Sequence, residues 1–229
     1  MRTRHRFTAT IAAALILGAP CSARLSAQAT DATIDRAVAA WAKIKTVRGT
    51  FEQTVTNSLT NSSANARGTY MQERPNRLAI RFEQPGSDAI IADGKAVWVY
   101  LPSSSPGQVI KRPATDRAAV PIDLTGQFLD SPRTKYDITA AGTRTVNGHA
   151  AHGFTLVPKA GTSGSFVKAT VWVDDDDALI REFEVAESTG VTRHVRLTSV
   201  EPNAAVTTSM FTFVLPKGVK VVDQTTPPN

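Results

Sequence analysis

His149, His152 and His194 are the histidines beyond the first ten residues, and histidine is the side chain best suited to move protons or bind transition metals near neutral pH. None stands at i, i+4 spacing with an intervening acid, so the helical zinc-hydrolase pattern is absent. His149 and His152 flank an Asn147-Gly148 turn and read as solvated turn residues, while His194 falls in a strand pattern. Gly161-Thr162-Ser163-Gly164-Ser165 places a serine two residues after a glycine. It lacks the last glycine of a nucleophile elbow and sits in a Gly/Ser-rich loop. Asp174 to Asp177 is the one acidic run. A calcium loop of the EF-hand type needs a central glycine and a late glutamate, which this run lacks, so it reads as a solvated turn without metal. No dinucleotide fingerprint or phosphate-cradling glycine loop occurs. These residues predict no catalytic set, no metal and no cofactor, and the chain reads as a non-enzyme.

The elements that would position any site begin behind a leader. Arg2, Arg4 and Arg6 precede an uncharged stretch from Phe7 to Ala19. That apolar run is too short to span a bilayer, and the small residues Ser22-Ala23 and Ser26-Ala27 behind it offer cleavage sites, so residues 1–27 read as a secretory signal peptide and residues 28–229 as one exported domain. Cys21 is the only cysteine. Lipidation boxes resemble Leu-Ala-Gly-Cys, whereas Gly18-Ala19-Pro20 precedes Cys21 here, with proline obstructing the scissile bond; Cys21 is expected to leave with the leader. The mature chain then has no disulfide, thiolate metal site or cysteine nucleophile. Of the 26 basic residues, four (Arg2, Arg4, Arg6, Arg24) lie in residues 1–27 and none of the 20 acids does, leaving 22 against 20, a net charge of +2 instead of +6. So balanced a chain suggests neither nucleic-acid binding nor an anionic-membrane anchor.

From Asp31 to Ile44, the apolar residues Ile34, Ala37, Val38, Trp41 and Ile44 recur at three- and four-residue spacing, which predicts an amphipathic helix capped by Thr30. After residue 46 the period becomes two. Strands are expected at Val47 to Thr56, Arg67 to Gln72, Leu78 to Glu83, Ala89 to Ala92, Val97 to Leu101, Gln108 to Lys111, Phe154 to Val157, Val167 to Val173, Ile180 to Val185 and Val195 to Val200. Asp93-Gly94 and Asn147-Gly148 suit hairpin turns needing positive φ. Between Arg112 and Tyr136 the alternation stops, and Ile122, Leu124, Phe128 and Leu129 cluster in a short helix starting at Pro121. The pattern describes an antiparallel meander curling into a barrel, with one helical insertion as a cap or end plug.

An open barrel leaves a cavity that can take a ligand. The expected lining is Phe51, Val55, Ile80, Phe82, Ile91, Trp98, Tyr100, Leu124, Phe128 and Trp172. Pattern alone is consistent with these side chains filling the interior or surrounding a cavity.

An ordered set of words then narrows the field: Phe51-Glu52-Gln53-Thr54, Gly68-Thr69-Tyr70, Arg74-Pro75-Asn76-Arg77-Leu78, Phe82-Glu83-Gln84-Pro85, Ile91 to Tyr100 around Asp93-Gly94-Lys95, Phe211-Thr212-Phe213 and Pro216-Lys217-Gly218-Val219. Together they resemble the periplasmic outer-membrane lipoprotein carrier family (LolA-like) over nearly the whole mature chain. The resemblance implies an incomplete, strongly curved antiparallel barrel of about 10–11 strands with an N-terminal helix and a short helical lid. It implies a periplasmic chaperone, monomeric, that binds lipoprotein acyl chains. Cargo released by an inner-membrane ATP-driven transporter would be handed to an outer-membrane receptor. It also assigns to Arg74 the family arginine that hydrogen-bonds lid backbone and holds the empty carrier closed. The wording of residues 112–136 departs from the family, and Leu78 stands where relatives often carry an aromatic residue. Periplasmic lipid- or lipoprotein-sensing regulators share the fold, so fold alone leaves that second reading.

Mass spectrometry of the exported protein should find a mature N-terminus close behind residues 22–27 and no thiol. A diacylglyceryl group on Cys21 would replace the soluble carrier by an anchored protein.

Overall fold

The computed structural model describes residues 21–84, 86–114, 124–162 and 166–225, with side chains of the first helix described from Ala32 onward. The signal segment up to residue 20 and the Pro121 start of the insertion helix lie outside the described residues.

Helix α1 spans Cys21–Ala42. Ile34, Ala37, Trp41 and Ile44 are buried with Val38 packed beside them, which is the face that the spacing predicts. The helix starts nine residues before the expected Thr30 cap, which lies inside it.

Twelve strands follow: β1 (Thr46–Asn57), β2 (Ser62–Glu73), β3 (Arg77–Gln84), β4 (Ala89–Asp93), β5 (Ala96–Tyr100), β6 (Gln108–Pro113), β7 (Tyr136–Val146), β8 (His149–Pro158), β9 (Lys168–Asp174), β10 (Ile180–Ala186), β11 (Val191–Pro202) and β12 (Lys220–Asp223). Among the described residues there are thus two more strands than the ten read from alternation. β7 is polar or small at most positions, and β12 has only four residues, so neither carries a clear period of two.

The sheet order is β12-β6-β5-β4-β3-β2-β1-β11-β10-β9-β8-β7, and it does not close, since β12 and β7 are free edges. In place of the single meander that the alternation predicts there are two, β1 to β6 and β7 to β11, joined through the antiparallel β1–β11 ladder; β12 adds in parallel to β6. Side chains from β1, β2, β3 and β5 share one core cluster with those of β8 to β11. Strands so far apart in the order can meet on one face only if the sheet curls around it.

The same topology leaves a long connection between β6 and β7. The chain leaves β6 beside one edge and re-enters at β7 on the other, and the described end of this connection, residues 124–135, lies on the concave side, where Phe128 and Leu129 join the core. Residues 124–135 carry two short helices, α2 (Gly126–Leu129) and α3 (Pro132–Lys135), and α2 lies against α1. Phe128 packs between Phe183, at 5.2 Å between ring centres, and Phe166, at 5.8 Å. Tyr136 Oη donates to the Gln127 carbonyl at 3.0 Å, which fixes α2 to the first residue of β7.

Two turns follow the dipeptide signals with a difference. Asn147 and Gly148 both take positive φ, 50° and 84°, as a type I′ hairpin requires; at Asp93-Gly94 only the glycine does, at 92°. Asp93 stays in ordinary backbone space and uses Oδ1 to accept from the Lys95 and Ala96 amides, each at 2.8 Å.

Gly49 marks one of the two tightest approaches in the wall, the other being Gly68. A Cβ at Gly49 would lie 2.1 Å from the Ser199 carbonyl oxygen and 2.7 Å from the Tyr70 ring, beside the β1–β11 irregularity at Thr50/Phe51. Replacement of Gly49 by alanine should therefore destabilise the protein by about 1–3 kcal/mol through overpacking, measured as a lower midpoint in chemical denaturation with an unchanged slope.

Candidate functional site

The concave face is filled at the end under the helices and open at the other. The filled end packs Trp41, Ile44, Val47, Tyr70, Leu129 and Leu197 into the core. Beyond Phe51 and Phe82, whose rings meet edge to face at 5.5 Å, lies a cleft of about 540 Å³. Its walls are Val55, Ala64, Ala66, Phe82, Ile90, Val99, Leu101 and Ile110, with Gln53, Asn65, Asp88, Arg112 and Arg193 as the polar members. Register explains the apolar stripe. Ile80, Ile90, Val99 and Ile110 are cross-strand neighbours on four successive strands and point to the same side. Asp88 accepts from the Ser103 amide at 3.1 Å and from its hydroxyl, so this carboxylate fastens the β5–β6 loop to the start of β4.

Of the lining expected from sequence, Val55 and Phe82 border the cleft. Phe51, Ile80, Leu124 and Phe128 belong to the packed core beside it. Ile91, Trp98 and Tyr100 do not line it. They occupy the convex face, where Ile91 and Trp98 join Ala79, Ala89 and Phe211 in a second apolar cluster. Trp98 stacks on Phe213 at 5.3 Å and Tyr100 meets the same ring at 5.7 Å. Trp172 is likewise outside, with the Arg144 guanidinium 3.8 Å above its ring centre. Strand alternation sorts residues into two faces but does not say which is inward. On β4 and β5 both faces are apolar, because residues 206–213 cover the outside. Sequence reasoning therefore selects the aromatic face and misses Ile90, Val99, Leu101 and Ile110. The signal that finds them is parity with Ile80, carried across the Asp93-Gly94 turn.

Arg74 follows β2 and reaches the end of α1. Its Nη1 donates to the carbonyls of Trp41 at 3.0 Å and Ile44 at 3.2 Å, its amide donates to the Lys45 carbonyl, and its guanidinium lies 5.0 Å from the Trp41 ring centre. The last carbonyls of a helix lack intrahelical donors, and a fork of N–H groups carrying positive charge suits them. Two further ties hold α1: Arg36 donates to the Asp175 carbonyl, and Asp35 pairs with Arg133 of α3. The hydrogen bond from Arg133 lowers the Asp35 carboxyl below its ordinary value.

Residues 42–214 match the family described as outer membrane lipoprotein carrier protein LolA. The chain belongs to the outer-membrane lipoprotein carrier family. It is 30% identical over 183 residues to the outer-membrane lipoprotein carrier protein of Klebsiella pneumoniae (strain 342), covering 80% of this chain and 83% of that one. The counterpart from Dechloromonas aromatica (strain RCB) is 26% identical over 212 residues, covering 91% of this chain and 96% of that one. Among solved structures, an uncharacterized conserved protein from Thermus thermophilus superposes with a TM-score of 0.49 at 15% identity, covering 86% of this chain and 100% of that one. The carrier family is one of carrier proteins, not of enzymes.

The acidic run is only in part the solvated turn that its composition suggests: Asp176 and Asp177 are exposed, whereas Asp174 is not. The Asp174 side chain is fully buried; its Oδ2 meets Arg181 Nε and His149 Nδ1, each at 2.8 Å, and its Oδ1 accepts from the Asp176 amide at 2.8 Å. Asp177 pairs with the same arginine and Asp175 with His152. His149, Asp174 and Asp176 offer ligand atoms within 4.8 Å of one another, but both Asp174 oxygens are already committed. Asp174 looks as solvent-facing as its neighbours only while Arg181, on the next strand, is left out of the reading.

Burial pushes the Asp174 carboxyl up, and the Asp176 amide, Arg181 and His149 more than reverse this, so it titrates below its ordinary value. A folded pKa below the unfolded one, about 3.9, gives stability that is present above that pH and lost as pH falls through the folded value. Asp174→Asn should cost about 1–3 kcal/mol at pH 7 by removing the buried one of the two carboxylates that pair with Arg181 and leaving Asp177 alone to balance it. The gap between wild type and variant in urea unfolding should shrink as the pH is lowered from about 5 to about 2.

Proposed function

We propose that this protein carries lipoproteins through the periplasm, sheltering their acyl chains on the concave face of the open barrel. The observation that carries this reading is the apolar cleft continuous with a core that is covered by helices rather than by a second sheet. Its volume lies within the range of about 300–1,000 Å³ usual for small-molecule sites. Each buried methylene contributes about 0.8 kcal/mol, so an acyl chain is held by the cleft wall without any directed chemistry.

Release then needs a competitor, and the cover supplies it. With α1 docked, Trp41 and Ile44 occupy the closed end that longer or additional chains would fill. Arg74 holds this state through two carbonyls at the end of α1. The lid that it fastens is thus the N-terminal helix, with α2 beneath as a second layer. A cover that closes in the empty protein lowers the binding-competent fraction and weakens apparent affinity, which permits hand-off. The N-terminal leader supports export to the periplasm. An inner-membrane ATP-driven transporter as the source of cargo and an outer-membrane receptor as its destination complete the route that the family membership suggests.

Hydrogen bonds to a charged group contribute about 1.5–3 kcal/mol each. Arg74→Leu should therefore favour the open state by a factor of about ten or more, keep or strengthen lipoprotein uptake, and slow transfer to an acceptor by a similar factor. Uptake and hand-off are measured separately with purified acylated lipoprotein. A variant that loads and releases like the wild type removes Arg74 from the cycle, and a wild type that takes up no acylated cargo removes the carrier reading itself.

A further inference from the structure

Among the described residues, Trp41 Nε1 is the one buried side-chain nitrogen or oxygen with no hydrogen-bond partner. The residue is only 6% exposed. Trp98, by contrast, gives its indole N–H to Asp93 at 3.0 Å. Buried tryptophans ordinarily find an acceptor, because an N–H taken out of water and left unpaired is costly.

The surroundings of Trp41 offer little to pair with. It borders a closed hollow between α1, α2 and the sheet, together with Ile44, Val47, Leu129 and Leu197. The polar members there are Thr125 and Tyr70, and the Tyr70 hydroxyl is directed to the Ser199 carbonyl at 3.4 Å. The hollow measures about 10 Å³, room for about one water and no more. On its other side the Trp41 ring faces the Arg74 guanidinium, 5.0 Å from its centre. One side chain thus joins a cation and an unused N–H donor to the apolar concave face. That polarity matches the zone of an acylated molecule where carbonyl groups meet hydrocarbon tails.

We propose that the Trp41 indole N–H is a binding site for an acyl carbonyl, ester or amide, of the bound cargo. The inference rests on the carrier reading and names the group of the cargo that is recognised. When α1 lifts, the hollow beside Trp41 widens, tails lie along Phe82, Ile90 and Val99, and a carbonyl oxygen accepts the hydrogen bond that no protein group accepts. In the closed, empty protein no protein group accepts from this donor, and in the loaded protein the carbonyl does. The contact therefore favours chains attached through carbonyls over plain alkyl chains of the same length.

The test compares two soluble ligands, dioctanoylglycerol, an ester, and dioctylglycerol, its ether analogue without carbonyls. Wild type should bind the diester about fivefold to tenfold more tightly, the factor expected for one neutral hydrogen bond. Trp41→Phe, which keeps an aromatic ring and removes the donor, should bind both ligands equally, at the level of the wild type with the diether. In the wild type labelled with 15N-tryptophan, the Trp41 indole proton should move downfield with the diester and stay in place with the diether, a measurement that stands even if the variant does not fold. Equal affinity of the wild type for the two ligands, an unmoved indole proton, or a variant that keeps the ester preference overturns the inference. Equal and measurable binding leaves the carrier reading intact, whereas no binding of either ligand to the wild type defeats both.

Discussion

The ladder between β1 and β11 is the constraint from which the rest of the molecule follows. Each half of the chain is a meander that local turns can assemble, but neither has a partner for its inner edge until Val47 to Asn57 pairs with Val191 to Pro202. That pairing makes one curled sheet of two smaller ones and gives the concave face its depth. Gly49 is required there because the β1 backbone, the Ser199 carbonyl and the Tyr70 ring meet with no room for a side-chain carbon. The order also separates β6 from β7 by nearly the full width of the sheet, and the described end of the connection, with α2, packs into the concave face. The cover there has two parts, and α1 completes it by laying its apolar face beside α2.

Energetically the two ends of the concave face are complementary. Under the helices, aromatic and aliphatic side chains are buried against one another, and Phe128 contacts both Phe166 and Phe183. At the other end, the same stripe of branched side chains continues as the wall of an open cleft. Polar ties hold the helices in place from several directions: Arg74 on the α1 carbonyls, Arg36 on the Asp175 carbonyl, and Arg133 on Asp35. The Asp175 contact links the cover to the turn built on Asp174 and Arg181, where buried charge is fully paired. Ion pairs at the exposed rim, such as Arg133 with Asp35, contribute little individually.

Much of this is legible in the sequence. The buried face of α1, the two hairpin dipeptides and the break in alternation after Arg112 all correspond to features of the fold. The family words are legible too: some lie at turns and at Arg74, and others, such as Phe51 to Thr54 and Gly68 to Tyr70, lie within β1 and β2, where a buried ring or a close backbone approach restricts the residue. What escapes has physical reasons. The polar edge strand Tyr136–Val146 lacks an apolar face, and Lys220–Asp223 is too short to show a period. The inner row Ile90, Val99 and Ile110 yields to Ile91 and Trp98 in a reading by pattern, since a strand apolar on both sides gives no parity signal. Asp174 looks solvated because its partner, Arg181, is supplied by a neighbouring strand.

The convex cluster of Met71, Ile91, Trp98, Phe211 and Phe213 bears on how the protein deforms. Residues 206–213 lie across β3, β4 and β5 from behind, and β12 then adds alongside β6, so this part of the wall is braced as a laminate is braced by its backing ply. Bending it would peel aromatic rings apart on the outer side. The wall is thus backed on its outer side, whereas the helical cover is tied by a few polar contacts. A load on the inner face would meet more resistance from the backed wall, whose apolar rows are held at ladder spacing, than from the helices.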